Sequence, residues 1–277
     1  MRAKLAGLEK VAWGRTHPNN ASGVEIPQLL RERAHGVDPT YRLADALLHQ
    51  DTRFGGAAEA VPFLIELASA NETPDRAFLL RLAAGIGAPV EPHLSGIPFD
   101  RARIEAVSDD ELWSEDSELL DGFAAMSAQD GRAAWLAALP SVSMLVDDEA
   151  GDVRIAAMCV LAVESGLPPE HEVRLRRAMG AADPVCWHAA LALGHLAERV
   201  RLAPESIHEL NGLLAHQAPI RRATAAFALA FVPERDERAL EALAQTRHEF
   251  EVLSKEPCQF EQALMGMFSR ALQRVTE

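Results

Sequence analysis

The sequence predicts an all-α protein, an α-solenoid of about six to seven stacked helical hairpins. Apolar residues make up 48% of the chain and aromatic residues only 5%, with Tyr41 as the single tyrosine. Sheets are normally rich in β-branched and aromatic residues, whereas the apolar residues here are mainly alanine and leucine, which favour helices. The third observation is a phrase of sequence that returns at about the length of a helical hairpin.

The returning phrase opens with Asp, Pro or Gly and continues with small residues and leucine at helical spacing. Its five copies are Asp38–Leu48, Thr73–Ala83, Gly151–Ala162, Asp183–Gly194 and Ala218–Ala230. One position holds, in turn, Arg42, Arg76, Arg154, Cys186 and Arg221, at intervals of 34, 78, 32 and 35 residues. Because 78 is about two periods, we expect a degenerate copy in between, with its second helix at 116–128.

A second apolar helix precedes each copy, and a separate one is expected at 131–146. Pro27, Pro62 and Pro140 should start or kink these preceding helices. An amphipathic helix at 258–275 is expected to close the stack. The predicted organisation is therefore a single solenoid over residues 1–277, with an irregular acidic insertion at about 87–115.

The phrases "GDVRIAA", "DPVCWHAALALG" and "PIRRATAAFALA" resemble the HEAT-repeat signature, in particular the bilin-lyase-like HEAT repeats of bacteria. The stretch "HQDTRFGGAAEAVPFLIELA", which follows Trp13 and His17, is similar to a bacterial HEAT-repeat family with an "HQGT-Y" phrase, and departs from it at Asp51 and Phe54. The resemblance covers most of residues 24–247 and implies the fold. HEAT arrays serve as scaffolds, adaptors, immunity-type binders and occasionally enzymes, so several functions stay open.

The net charge of −14 is concentrated in one region, since residues 51–140 carry 6 basic and 16 acidic groups. Such a field opposes phosphate backbones, which argues against nucleic acid and favours a protein partner, in particular a basic one. No apolar run is long enough to span a membrane, the first residues lack a secretory pattern, and three widely spaced cysteines favour a reducing compartment. We therefore expect a cytoplasmic protein without a membrane segment, with its oligomeric state open.

The stretch "DPVCWHAALALGHLAE", 183–198, concentrates side chains capable of chemistry. On a helix, His188 and His195 lie together, while Cys186 points elsewhere, so this helix alone cannot assemble a three-ligand zinc site. We interpret the stretch mainly as packing, and Cys186 as a degenerate copy of the arginine position. A shared binding face with a neighbouring repeat is the alternative.

Two further stretches are candidates for binding. The turn His49–Phe54 can be ordered by its polar side chains or can bind a ligand. The stretch 104–123 has eight acids and no base. Ser108 and Glu111 form a capping box that should begin a helix there. This acidic stretch is either a solvated face or a docking surface with Trp113 as an aromatic anchor.

The sequence has no phosphate loop, nucleophile elbow, paired CxxC or HExxH motif, so we predict no catalytic residue, metal or cofactor. The leading hypothesis is a non-catalytic scaffold or adaptor that binds a protein through its concave or acidic surface. The alternatives are an immunity-type inhibitor of a toxin, a purely structural repeat, and a lyase or small-molecule tailoring enzyme that uses His49, His188 and His195. The candidate binding residues are Arg42, His49, Trp113, Trp187, His188, Leu191, His195, Arg221 and Arg222.

Overall fold

A computed structural model of the 277-residue chain describes residues 3–11, 13, 25–37, 40–49, 52–53, 56–89, 92–112, 117–164, 169–232 and 237–245. The chain divides into two compact units, Met1–Val142 and Ser143–Glu277. Helices that pack side by side make up most of the described residues in each unit. This confirms the predicted all-α helical-repeat fold. A single solenoid over the whole chain stays a prediction, and the expected closing helix at 258–275 lies outside the described residues.

Unit 1 begins with a 3-10 helix, Leu8–Lys10, and a short N-terminal segment attached to a later helix. The backbone N–H groups of Lys4 and Leu5 donate to the Glu66 carboxylate, with distances of 2.6 and 2.9 Å. The elements that follow are α1 (Ile26–Ala34), α2 (Thr40–Leu47), β1 (Leu48–His49), β2 (Thr52–Arg53), α3 (Ala57–Ser69), α4 (Arg76–Ile86), α5 (Pro92–Ser95), α6 (Arg101–Ala106), α7 (Asp109–Leu112) and α8 (Ser117–Met144). The last two residues of α8 belong to unit 2.

Helices α3 and α4 form the central hairpin of unit 1. Pro27 lies at the start of α1, as predicted, whereas Pro62 lies inside α3 on its exposed side. The strands β1 and β2 form a minimal antiparallel pair in which Leu48 is opposite Arg53 and His49 is opposite Thr52. Residues of the predicted turn His49–Phe54 therefore take part in this short β-ladder.

One helix replaces two that the sequence predicts. The stretches 116–128 and 131–146 were expected as separate helices, but α8 runs continuously from Ser117 to Met144. Gly131 lowers helix propensity without breaking the backbone ladder. Pro140 lies inside the same helix and is exposed. The prediction of a helix break here is wrong.

The acidic segment, residues 87–123, is also more ordered than the sequence indicates. The described part of 87–115 contains the short helices α5, α6 and α7. Its apolar cluster consists of Ile104, Leu112, Leu119, Phe123 and Met126, with Phe99 and Val107 packed against it. The Ser108 hydroxyl accepts a hydrogen bond from the Glu111 backbone N–H at 3.2 Å, so this half of the predicted capping box is present.

Unit 2 is a stack of helical hairpins in two layers. After the 3-10 helix Leu145–Asp147 come α9 (Gly151–Ala162), α10 (Pro169–Ala178), α11 (Val185–Ala197), α12 (Pro204–Leu214), α13 (Pro219–Ala230) and α14 (Glu237–Gln245). Helix α11 packs between α9 and α13, and α10 contacts α12 in the other layer. The first layer consists of α9, α11 and α13, and each of these helices begins near the start of a copy of the returning phrase. Among the described residues, no helix has both the length and the apolar content that a membrane span requires.

Helices α11 and α13 approach each other closely at Gly194 of α11. A Cβ atom added at Gly194 would lie 2.9 Å from the Ala228 Cα of α13 and 2.9 Å from the Phe227 ring. Because real Cβ atoms do not approach other atoms so closely, only glycine allows this crossing. Residue 194, the "G" of the returning phrase, therefore sets the spacing between two neighbouring hairpins.

Candidate functional site

Two arginines of the returning phrase bind backbone carbonyls at the turn of their own hairpin. Arg76 Nε donates to the Ala68 carbonyl at 2.6 Å, and Arg154 Nε donates to the Val146 carbonyl at 3.0 Å. In both cases the acceptor lies eight residues earlier in the chain. Carbonyls at a helix end have no partner within the helix, and a cation there also interacts well with the helix dipole. In these two hairpins, the repeated arginine therefore stabilises the turn.

The two arginines at the start of α13 also bind groups within unit 2. Arg221 Nε donates to the Asp183 carboxylate at 2.9 Å, which connects α13 to the start of the preceding hairpin's second helix. Arg222 donates to the carbonyls of His216 and Gln217, each at 2.8 Å. Arg42, by contrast, is exposed, and its guanidinium lies 3.9 Å from the Glu25 carboxylate. Of these three predicted binding arginines, only Arg42 is presented to solvent.

The stretch 183–198 forms α11 and is the most buried helix of the described chain. Twelve of its thirteen residues are buried, including Trp187, Leu191 and His195. Burial also raises the pKa of the Cys186 thiol, which opposes formation of a reactive thiolate. Burial keeps these side chains from any exposed face of unit 2. Their burial does not support the predicted binding role. It supports the interpretation of the stretch as packing.

His188 is the one residue of α11 that is half-buried. Its ring stacks on Trp187 with 3.6 Å between centroids, and Nδ1 donates to the Pro184 carbonyl at 3.0 Å. Desolvation lowers the pKa of His188 to about 4, so the ring is neutral near pH 7. Over the part of the chain that the structure describes, no group of three or more His, Cys, Asp or Glu side chains is placed to hold a metal ion.

Two predicted site residues lie partly or wholly outside the described structure. The backbone of His49 lies in β1, but its side chain lies outside the described structure, as does all of Trp113. Asp51 and Phe54, which belong to the same predicted turn, also lie outside the described residues. The predicted roles of His49 and Trp113 therefore stay predictions.

A groove in the acidic segment is a candidate site that the sequence does not reveal. It has a volume of about 330 Å³ and lies between residues 97–104 and the first turns of α8. Its apolar walls include Phe99, Ile104 and Leu119. A Cβ added at Gly122 would lie 3.3 Å from both Phe99 Cβ and Ile104 Cδ1, so the lack of a side chain at 122 brings the two walls together.

Charged groups surround this groove. Asp100, Arg103 and Asp121 are among its lining residues. Arg101 forms a bidentate pair with Asp130 of α8, with N–O distances of 2.9 and 2.7 Å, and this pair raises the pKa of the guanidinium further. We define the acidic surface as the four exposed carboxylates of this segment whose side chains the structure describes, namely Asp100, Glu105, Glu111 and Asp121.

Several solved structures are distantly similar to this chain. No protein-family model matches the chain, and no curated protein matches it. A designed armadillo repeat protein in complex with the peptide (KR)4 has a TM-score of 0.41 and 16% identity, covering 90% of this chain and 99% of the other. The crystal structures of two engineered proteins have TM-scores of 0.31 and 0.32 at 21% identity, with coverages of 77% and 91% of this chain and 96% and 68% of theirs. The fold assignment rests on this chain's own helices and their contacts.

Proposed function

We propose that this protein is a non-catalytic scaffold that binds a basic protein partner through the acidic surface. The observation that carries the proposal is the apolar cluster beneath this segment, centred on Ile104, Leu119 and Phe123. It packs the short helices against α8, so the carboxylates above it have defined positions. Residues 97–123 contain nine acidic and two basic groups. An ordered surface of this charge favours basic partners and accelerates their association.

The alternative, in which the partner binds to a concave surface, has weaker support. Its predicted residues Trp187, Leu191 and His195 are buried, and Arg221 and Arg222 already bind groups within unit 2. The enzyme alternative is weakened in the same way, because His195 is buried and His188 is half-buried, neutral and bonded to Pro184. The narrower assignments, a bacterial HEAT-repeat adaptor or an immunity-type inhibitor, are special forms of this proposal, and the immunity form would make the basic partner a toxin.

The test is a pull-down from source-cell lysate with three tagged proteins, read by mass spectrometry at about 50 and 200 mM salt. The first is the wild type, and the second carries Glu105→Gln, Glu111→Gln and Asp121→Asn. The third is a control with the same charge change in exposed residues of unit 2, namely Glu149→Gln, Asp152→Asn and Glu170→Gln.

We expect basic proteins on the wild type and on the control at low salt, and a roughly tenfold loss on the acidic-surface variant, since three exposed charge contacts are together worth about 1–3 kcal/mol. Equal capture by both variants would show that overall charge, and not this surface, attracts the proteins. Absence of basic proteins from the wild type at low salt would exclude a basic partner.

A further inference from the structure

The groove beside the acidic surface has the chemistry of an anchor site, and this inference rests on the proposed function. We propose that the groove takes one apolar side chain of the partner, whose neighbouring lysines or arginines contact Asp100 and Asp121. The recognised element is therefore a short segment with an aliphatic or aromatic residue set between basic ones.

The floor and walls of the groove are apolar and fixed. Phe99 and Leu119 belong to the apolar cluster or pack against it, and Gly122 holds the segment within van der Waals distance of α8. The bidentate Arg101–Asp130 pair joins α6 to α8. A volume of about 330 Å³ is near the lower end for ligand pockets and suits one large side chain.

Charge decides which segment fits. Two carboxylates, Asp100 and Asp121, line the groove with a single cation, Arg103, and eight acids without a base follow in 104–123. An acidic segment would be repelled by this field. A purely basic segment would leave the apolar walls in water, whereas a basic segment with an apolar residue satisfies both features. Anchors of this kind carry much of the binding energy of protein interfaces.

The experiment measures the affinity of three fluorescent nine-residue peptides by anisotropy at about 50 mM salt. The first has leucine between four lysines on each side, the second replaces leucine by alanine, and the third replaces all lysines by glutamates. We expect the leucine peptide to bind wild type about five- to tenfold more tightly than the alanine peptide, because three buried carbon groups distinguish them. The glutamate peptide should not bind.

Two variants locate the site. Ile97→Asn changes a half-buried groove residue in a loop, so it should remove the preference for leucine over alanine while the fold, followed by circular dichroism, is retained. Asp121→Lys should weaken both lysine peptides several-fold and strengthen the glutamate peptide, whereas the control Asp152→Lys, an exposed acid of α9, should do neither. A gain of affinity for the glutamate peptide would not arise from unfolding.

The outcomes separate this inference from the proposed function. If both lysine peptides bind equally and lose affinity equally in the acidic-surface variant, the surface binds basic partners and the groove inference is wrong. If basic proteins are captured from lysate but neither lysine peptide binds, the groove inference is again wrong. If neither proteins nor peptides bind, both proposals fail.

Discussion

The hairpin stack of unit 2 and the acidic segment of unit 1 use their residues differently. In α11 of the stack, twelve of thirteen residues are buried, whereas in α6 of the acidic segment only Ile104 is buried among six. The stack combines close backbone contact at Gly194 with arginines that bind carbonyls. The acidic segment depends on a small apolar cluster and on exposed ion pairs of Arg101.

This difference indicates which region contributes to stability and which is available for binding. Side chains of the stack that are capable of chemistry, such as Cys186 and His195, are buried and contribute to stability. Those of the acidic segment are exposed, so substituting them costs little stability. We therefore expect mutations in the stack to change the free energy of unfolding, and mutations in the acidic segment to change binding.

The largest effect should come from Gly194→Val. Its branched side chain would collide with the Ala228 backbone, which cannot move like a flexible side chain. We expect a loss of about 3 kcal/mol or more in the free energy of unfolding, measured by urea denaturation. Gly212→Ala is the control, because an added Cβ there meets nothing within 4 Å and should stabilise α12 by about 0.5–1 kcal/mol. A loss at Gly212 equal to that at Gly194 would contradict the close-contact argument.

The next effect should come from Arg154→Met, which keeps most of the aliphatic stem and removes the guanidinium. The Val146 carbonyl would lose a charged hydrogen-bond donor, and we expect a loss of about 1.5–3 kcal/mol. Arg177→Met changes an exposed arginine of α10 and should cost less than about 0.5 kcal/mol. Similar losses for both variants in thermal and urea unfolding would mean that the turn bond contributes nothing specific.

His188 should make the stack sensitive to acid. Its pKa is about 4 in the folded state, below the ordinary value of about 6.5. Above pH 6.5 the ring is neutral in both states. As pH falls from 6.5 towards 4, the unfolded chain gains a proton that the folded chain does not, so stability is lost.

We expect the stability difference between wild type and His188→Phe to be constant above pH 7 and to shift by about 1–2 kcal/mol against wild type by pH 4. Urea denaturation of both proteins at several pH values measures this shift, since carboxylate titrations common to both cancel in the difference. Parallel pH profiles would show that the imidazole is not desolvated.

The smallest effect should come from the acidic segment. Arg101→Met removes the pair with Asp130, whose partners are 48% and 38% exposed. We expect a loss of less than about 1 kcal/mol, which high salt should reduce. A loss as large as that of Arg154→Met would erase the contrast between the two regions. Asp130→Asn provides the reciprocal variant.

Much of the fold follows from the sequence. The returning phrase places the starts of α9, α11 and α13 correctly because turn residues and small apolar residues recur at hairpin length. The break predicted between 128 and 131 is wrong because Gly131 costs only about 0.5–1 kcal/mol in a helix interior, which packing along α8 can offset.

The site is less predictable for physical reasons. The composition of α11 indicates burial on all sides, since only two histidines interrupt its apolar residues. The position of Arg154 repeats in sequence, but its acceptor, a carbonyl eight residues earlier, depends on how the turn folds. The groove depends on the approach of residues 97–104 to α8, which Gly122 and the Arg101–Asp130 pair establish across about 30 positions of the chain.

The bond between Arg221 and Asp183 has a mechanical consequence. It connects the starts of α13 and α11, and therefore one edge of two consecutive hairpins. Bending that opens this edge must stretch a charged hydrogen bond, whereas bending that closes it does not. The stack should consequently be stiffer in one bending direction than in the other, so its elasticity is asymmetric even though its building blocks repeat.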